Sequence, residues 1–153
     1  MVVRRKLLCL GLAVLGMLAV ATVPSPAQAA GYQGGLMNNQ TGLCLDSSGG
    51  SVYPHSCNGG DYQRWGYTRN SSGLPIANRA TGRCLDSDYN GNVYALACNG
   101  GTYQRWYVYY AGGARYSKLV NYQTGRCLDS DSGRVYTLAC NGGPYQTWYH
   151  MWV

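Results

Sequence analysis

The hydrophobic pattern changes character near residue 30. Before that point Arg4, Arg5 and Lys6 lead into an apolar run from Leu7 to Val23, followed by Ala27-Gln28-Ala29. Basic, apolar and small residues in that order predict a secretory signal peptide over residues 1–29. A membrane span fits less well, because the run is short for the roughly 20 residues a span needs and ends in a cleavage pattern. After Ala30 no stretch repeats its apolar residues at helical spacing. Short runs rich in Val, Tyr and Leu are instead separated by Gly, Asn, Ser and Asp. A chain patterned this way is all-β.

The pattern recurs three times. Thr41 opens TGLCLDSSGGSVYPHSCNGGDYQRW, Thr81 opens TGRCLDSDYNGNVYALACNGGTYQRW, and Thr124 opens TGRCLDSDSGRVYTLACNGGPYQTW. The copies predict one domain over residues 30–153, with lobes at about 36–66, 74–107 and 117–149. The segments between them, GYTRNSSGLPIANRA and YVYYAGGARYSKLVNYQ, read as hairpins. Three such units in a row would expose strand edges, whereas three around a pseudo-threefold axis protect them by closure. Closure is therefore expected.

Cys9 lies in the leader, and the other six cysteines fall as one pair per repeat. The simplest symmetric solution bridges Cys44–Cys57, Cys84–Cys98 and Cys127–Cys140, in keeping with an exported protein. Each closed loop is worth about 3 kcal/mol in the chain-entropy model. If Cys84 stands opposite Cys98 in a hairpin, Asp86 faces Leu96, Asp88 faces Tyr94, and the turn spans roughly Tyr89 to Val93. Asp86, Tyr94 and Leu96 then project on the disulfide side while Leu85, Val93, Ala95 and Ala97 point inward. The matching clusters are Asp129, Tyr136 and Leu138, and Asp46, Tyr53 and His55. Gln63/Trp65, Gln104/Trp106 and Gln146/Trp148 read as structural, with Trp in the core and the Gln amide satisfying backbone groups. Asn99 and Tyr103 are left to join the outward cluster.

The triplicate CLD…CNGGxYQxW resembles the ricin B-type lectins, a β-trefoil family with one Q-x-W motif per lobe and an intralobe disulfide like those read above. The resemblance implies a shallow sugar pocket in each lobe, for a terminal α1,2-linked mannose. It assigns that role to Asp86, Tyr94, Leu96, Asn99 and Tyr103 in the second lobe, and to Asp129, Tyr136, Leu138, Asn141 and Tyr145 in the third. The first lobe offers Asp46, Tyr53, Asn58 and Tyr62 but carries His55 where Leu is expected. The stacking aromatic usual in the wider family before the second Cys is replaced by His55, Leu96 and Leu138, which disfavours the common galactose or xylan modes.

The chemistry suits a sugar: fixed carboxylate, amide and phenol groups beside aliphatic surface meet hydroxyls on a weakly apolar ring. Beyond the leader, nine Arg and Lys face six Asp and no Glu, a net +3 without a basic cluster, so no nucleic-acid partner is expected. Asp61, Asp88 and Asp131 do not recur in all three lobes and read as solvated. One recurring carboxylate per pocket does not make a glycosidase, and the histidines and cysteines form no catalytic or metal constellation. The reading is a secreted, non-enzymatic monomer without cofactor or metal, with oligosaccharides or glycoprotein glycans as partners and no membrane contact once the leader is removed. The alternatives are a module for xylan or galactose-containing polysaccharide, or a non-lectin trefoil such as a proteinase inhibitor acting through TRNSSGLPI. Asn39 and Asn70 lie in N-x-S/T sequons.

Overall fold

The computed structural model describes residues 32–67, 72–113 and 115–152; the leader and the Asn70 sequon fall outside them. The first lobe contains β1 (Tyr32–Asn38), β2 (Cys44–Ser48), β3 (Ser51–His55) and β4 (Trp65–Tyr67). The second contains β5 (Leu74–Pro75), β6 (Ala77–Asn78), β7 (Cys84–Ser87), β8 (Val93–Leu96) and β9 (Arg105–Tyr110). The third contains β10 (Tyr116–Asn121), β11 (Cys127–Ser130), β12 (Val135–Leu138) and β13 (Trp148–Trp152). A single 3₁₀ turn precedes the last strand of each lobe, at Asp61–Gln63, Thr102–Gln104 and Pro144–Gln146.

The outer strands of the lobes close a barrel. β1 pairs with β4, β4 with β6, β5 with β9, β9 with β10, β10 with β13, and β13 returns to β1. β5 and β6 trace one barrel strand interrupted at Ile76, which is itself buried in the core. Of the segment considered as an inhibitory loop, residues 68–71 lie outside the described residues, while Leu74–Pro75 form barrel strand and Ile76 enters the core. The inner pairs β2–β3, β7–β8 and β11–β12 form hairpins over one end of the barrel. Successive hairpins are tied by backbone: Ala95 N–H donates to Gly50 O and Thr137 N–H to Gly91 O, both at 2.9 Å. A Cβ on Gly91 would sit 2.7 Å from the backbone oxygen of Thr137, and its φ of +88° independently calls for glycine. The result is a β-trefoil with one disulfide per lobe, Cys44–Cys57, Cys84–Cys98 and Cys127–Cys140.

Its core repeats in threes. Leu36, Ile76 and Leu119 are buried from the barrel, Leu45, Leu85 and Leu128 from the hairpins, and Trp65, Trp106 and Trp148 between the two. Burying each aliphatic side chain is worth about 1.5–3 kcal/mol. Each indole also donates Nε1–H to a hairpin carbonyl, at Leu45, Leu85 or Leu128, within 2.9–3.0 Å. Strand alternation is plain in β10, where Ser117, Leu119 and Asn121 are buried and Tyr116, Lys118 and Val120 lie on the outer face.

A second triplet ties lobe to lobe. Asn38, Asn78 and Asn121 are wholly buried, and their Nδ2 groups donate to Tyr145 O, Tyr62 O and Tyr103 O, each at 2.7 Å. Every one of these acceptors belongs to the preceding lobe around the ring. The Oδ1 atoms accept the backbone N–H groups two and three residues on, which folds the N-x-x-T-G turns. The threefold is broken inside the barrel, where His150 Nδ1 meets the Tyr67 hydroxyl and Nε2 meets Ser117 Oγ at 2.6 Å.

Asn121→Ala strands the Tyr103 carbonyl and the N–H groups of Gln123 and Thr124. At roughly 1–3 kcal/mol per buried group left unpaired, urea denaturation should show a loss of about 2–4 kcal/mol.

Candidate functional site

The hairpin register differs from the sequence expectation by two residues. Cys84 faces Leu96 and Asp86 faces Tyr94, with the turn between Asp88 and Asn92; the first and third lobes align likewise, as Cys44↔His55 with Asp46↔Tyr53 and Cys127↔Leu138 with Asp129↔Tyr136. The second cysteine lies beyond the ladder, so the bridge joins a strand to the chain leaving it rather than two opposed residues. A slip of two keeps every side chain on its face. Asp86, Tyr94 and Leu96 thus share the side inferred for them, and Leu85 and Ala95 point inward. Ala97 does not: it is exposed, because β8 has ended and its carbonyl has turned to meet Gln104.

The glutamine of each Q-x-W motif shapes the loop that covers this face. Gln104 Oε1 accepts the Asn99 N–H at 2.9 Å while Nε2 donates to Ala97 O at 3.1 Å, and Gln63 and Gln146 repeat the arrangement. Gln63 Nε2 also donates to Asp46 Oδ2 at 2.8 Å, and the Gln104 side chain bonds to Asp86. The glutamine therefore has a part the sequence reading withheld from it: it positions the candidate sugar-binding carboxylate. In the NGG segment Asn99 Oδ1 accepts the Gly101 N–H at 2.7 Å, as Asn58 and Asn141 do for Gly60 and Gly143. Its oxygen is thus committed to the loop, leaving Nδ2 to act as a donor. Gly100 has a φ of +73°, and a Cβ on Gly101 would lie 2.8 Å from Asn99 Oδ1, so the two glycines are required for different reasons.

The third lobe shows the assembled site most fully. Asp129, Tyr136, Leu138, Asn141 and Tyr145, all five residues expected there, line one cavity of about 490 Å³ together with Asp131 and Gly143. Asp129 is only 3% exposed, and its Oδ1 has no hydrogen-bond partner among the described residues. Asp131, dismissed as solvated for want of a first-lobe counterpart, is a wall of this cavity. It accepts the N–H groups of Gly133 and Arg134 at 2.8 Å, contacts we associate with a carboxyl held below the usual range. Arg134, paired with Asp131, lies over the Tyr136 ring at 4.9 Å. Burial first, then the charges of Asp129 and Asp131, push the Tyr136 phenol up and keep it a neutral donor.

In the second lobe Tyr94 stands across from Asp86 with its phenol likewise pushed up, by burial and then by the nearby Asp86, Asp88 and Tyr103. Burial also raises the Asp86 carboxyl, against the lowering effect of Gln104. Asp88, read as solvated, instead closes the hairpin turn onto Asn92 and is held below the usual range by that bond. Tyr89, on the same turn, meets Tyr103 edge-on at 5.8 Å and takes a bond from Gln123 Nε2 at 3.0 Å. The first lobe has the same frame with a different rim: His55 holds the position of Leu96 and Leu138 and meets Tyr53 edge-on at 6.4 Å, while Tyr62 and Asn58 lie exposed on the covering loop.

Asp88 and Asp131 are consumed by turns, so neither is placed as the proton donor that a glycosidase needs beside its second carboxylate. Ser117 and His150 make a serine–histidine contact but are sealed from solvent.

Comparison with known proteins agrees with this geometry. The model of the ricin-type beta-trefoil lectin domain matches residues 28–106 and, overlapping it, 74–151. No curated protein sequence gives a match. Among solved structures, the designed threefold-symmetric protein ThreeFoil superposes with a TM-score of 0.70 at 28% identity, over 79% of this chain and 99% of that one. The hemolytic lectin CEL-III gives 0.68 at 31% identity over 81% of this chain, which spans only 30% of the lectin's length. A ricin B-like lectin of Macrolepiota procera, solved with lactose, shares the fold with a TM-score of 0.67 at 17% identity, over 81% and 97% of the two chains.

Because the Asp86 carboxyl is raised in the folded protein, burying its charge opposes folding, and that cost disappears as pH falls through its pKa. Asp86→Asn should therefore leave the melting temperature unchanged or higher while removing ligand affinity at the second lobe. In the wild type, second-lobe affinity that depends on the ionised carboxylate should fade on acidification at a pH above that of an ordinary aspartate, as followed by titration of the Asp129→Ala variant.

Proposed function

Since the chain belongs to the ricin-type β-trefoil lectin family, we propose that it is a secreted lectin for mannose-terminated glycans, engaging terminal α1,2-linked mannose through as many as three pockets. Asp129 carries the reading. A carboxylate oxygen buried without a partner, on the wall of a cavity shared with two phenols, an amide donor and a leucine, is suited to the vicinal hydroxyls of a pyranose. In the second lobe Asp86 and Tyr94 stand across from each other as Asp129 and Tyr136 do in the third.

Mannose is favoured over galactose or xylan because aliphatic Leu96 and Leu138 stand where the wider family places a stacking aromatic. The repeat also resembles that of actinohivin, a small actinomycete lectin for high-mannose glycans, most closely in LDSDYNGNVYALACNGGTYQRW. Single shallow pockets bind weakly. Pockets fixed on one rigid body gain avidity of about 10²- to 10⁴-fold on a branched glycan without any new contact.

Isothermal titration with α1,2-mannobiose should give more than one site per chain. Asp86→Ala with Asp129→Ala should cut affinity about tenfold or more, a hydrogen bond to a charged group being worth roughly 1.5–3 kcal/mol. Retention on xylan or galactan with no response to any mannose oligosaccharide would replace this reading with that of a polysaccharide-binding module. Such a module is one part the fold could play in larger enzymes such as the Clostridium thermocellum exo-beta-1,3-galactanase, 25% identical over 80% of this chain, which spans 30% of that one.

A further inference from the structure

Behind the NGG loop, on the side away from the sugar pocket, each lobe has a depression in an equivalent place. In the first lobe it measures about 20 Å³ and is lined by Gly35, Gly59 and Arg64 among others; in the second it measures about 160 Å³, with Pro75, Gly100 and Arg105 in the same positions. In the third lobe it opens to about 570 Å³. Two departures from the repeat set this groove apart. The arginine of Q-R-W becomes Thr147, whose hydroxyl folds back to donate to Gly143 O at 3.1 Å, so the long side chain that lines the other two depressions is missing at this position. Lys118 takes the place of Gly35 and Pro75, and the end of β9 adds a further wall of Tyr110, Ala111 and Gly112.

We propose that this third-lobe groove is a second binding site, for a pyranose bearing an anionic substituent. Lys118 pairs with no carboxylate among the described residues, and no acidic side chain lines the groove. An ammonium so placed, without a local counter-charge, selects an anion. Tyr110 and Tyr116 supply ring surface, and Asn39 supplies an amide, the mixture a sugar ring requires. Tyr116 is steadied edge-on against Tyr149 at 5.2 Å, and the Asn39 backbone is fixed by its N–H donating to Thr147 O at 2.9 Å. Gly142 and Pro144 face the groove, whereas Asn141 and Tyr145 of the same loop face the sugar pocket. The loop is thus a partition between two sites, and the groove stands whether or not the pocket takes mannose.

The test titrates the full protein by NMR with methyl glucuronoside, glucose 6-phosphate and neutral methyl glucoside. The glucuronoside is expected to bind with a salt-sensitive affinity at least about tenfold above that of the neutral sugar, a margin set by one charge-assisted contact. Binding of the phosphate as well would place selection on charge rather than on the carboxylate. Thr147→Met, with an uncharged side chain of a reach comparable to the arginine of the other two lobes, should fill the groove; Lys118→Met should remove its charge. Each should abolish that preference while leaving α1,2-mannobiose titration unchanged, and Asp129→Ala should do the reverse at the third lobe. Equal binding of the charged and neutral sugars, or full glucuronoside affinity in Thr147→Met, would overturn the proposal.

Discussion

Three buried asparagines hold this protein in its closed form. Each of Asn38, Asn78 and Asn121 spends its amide oxygen on a turn of its own lobe and its amide nitrogen on the carbonyl of a tyrosine in the lobe before it. Both ends of the side chain are satisfied only when neighbouring lobes are docked, so the bond that completes a turn also fixes the orientation of the lobes. A buried amide left half-paired costs more than the pair contributes when made. The constraint is therefore sharp, and it reaches the binding face directly, since the tyrosines whose carbonyls are gripped are Tyr62, Tyr103 and Tyr145, the outermost wall of each candidate pocket.

The Q-x-W glutamine works on the same wall from the other side. It receives the N–H that opens the NGG loop and returns a donor to the residue just past the hairpin strand, and in the first two lobes it also touches the aspartate. Fold and site are thus not separable sets of residues. Burial raises the second-lobe carboxylate against the lowering effect of Gln104, and that same glutamine holds the loop that carries Asn99 and Tyr103.

Much of this was visible in the sequence because repetition and strand parity are robust signals. Closure, the disulfide pairing and the shared face of Asp86, Tyr94 and Leu96 all follow from them, and the face survived a register error of two because side chains alternate with a period of two. What was missed has one physical origin, contact between parts of the chain far apart. The N-x-x-T-G segment looks like an ordinary turn until the preceding lobe is docked against Asn121. Asp131 was set aside because Ser48 holds its position in the first lobe, and recurrence says nothing about a wall that one pocket has and another lacks. Thr147 in YQTW was equally legible as a change, but not as an opening, until the arginines of the other lobes were seen to occupy the equivalent space.

The asparagine clamp also defines what a single lobe is. Taken alone, each lobe presents an unsatisfied donor on one side and an unsatisfied acceptor on the other, a head and a tail that cannot meet within the same unit. Such an interface is heterologous, and a rotation of one third of a turn closes it after three members. One repeat of about 40 residues is then best regarded as the protomer of a ring whose subunits happen to be joined by chain, its symmetry encoded in which carbonyl each asparagine can reach.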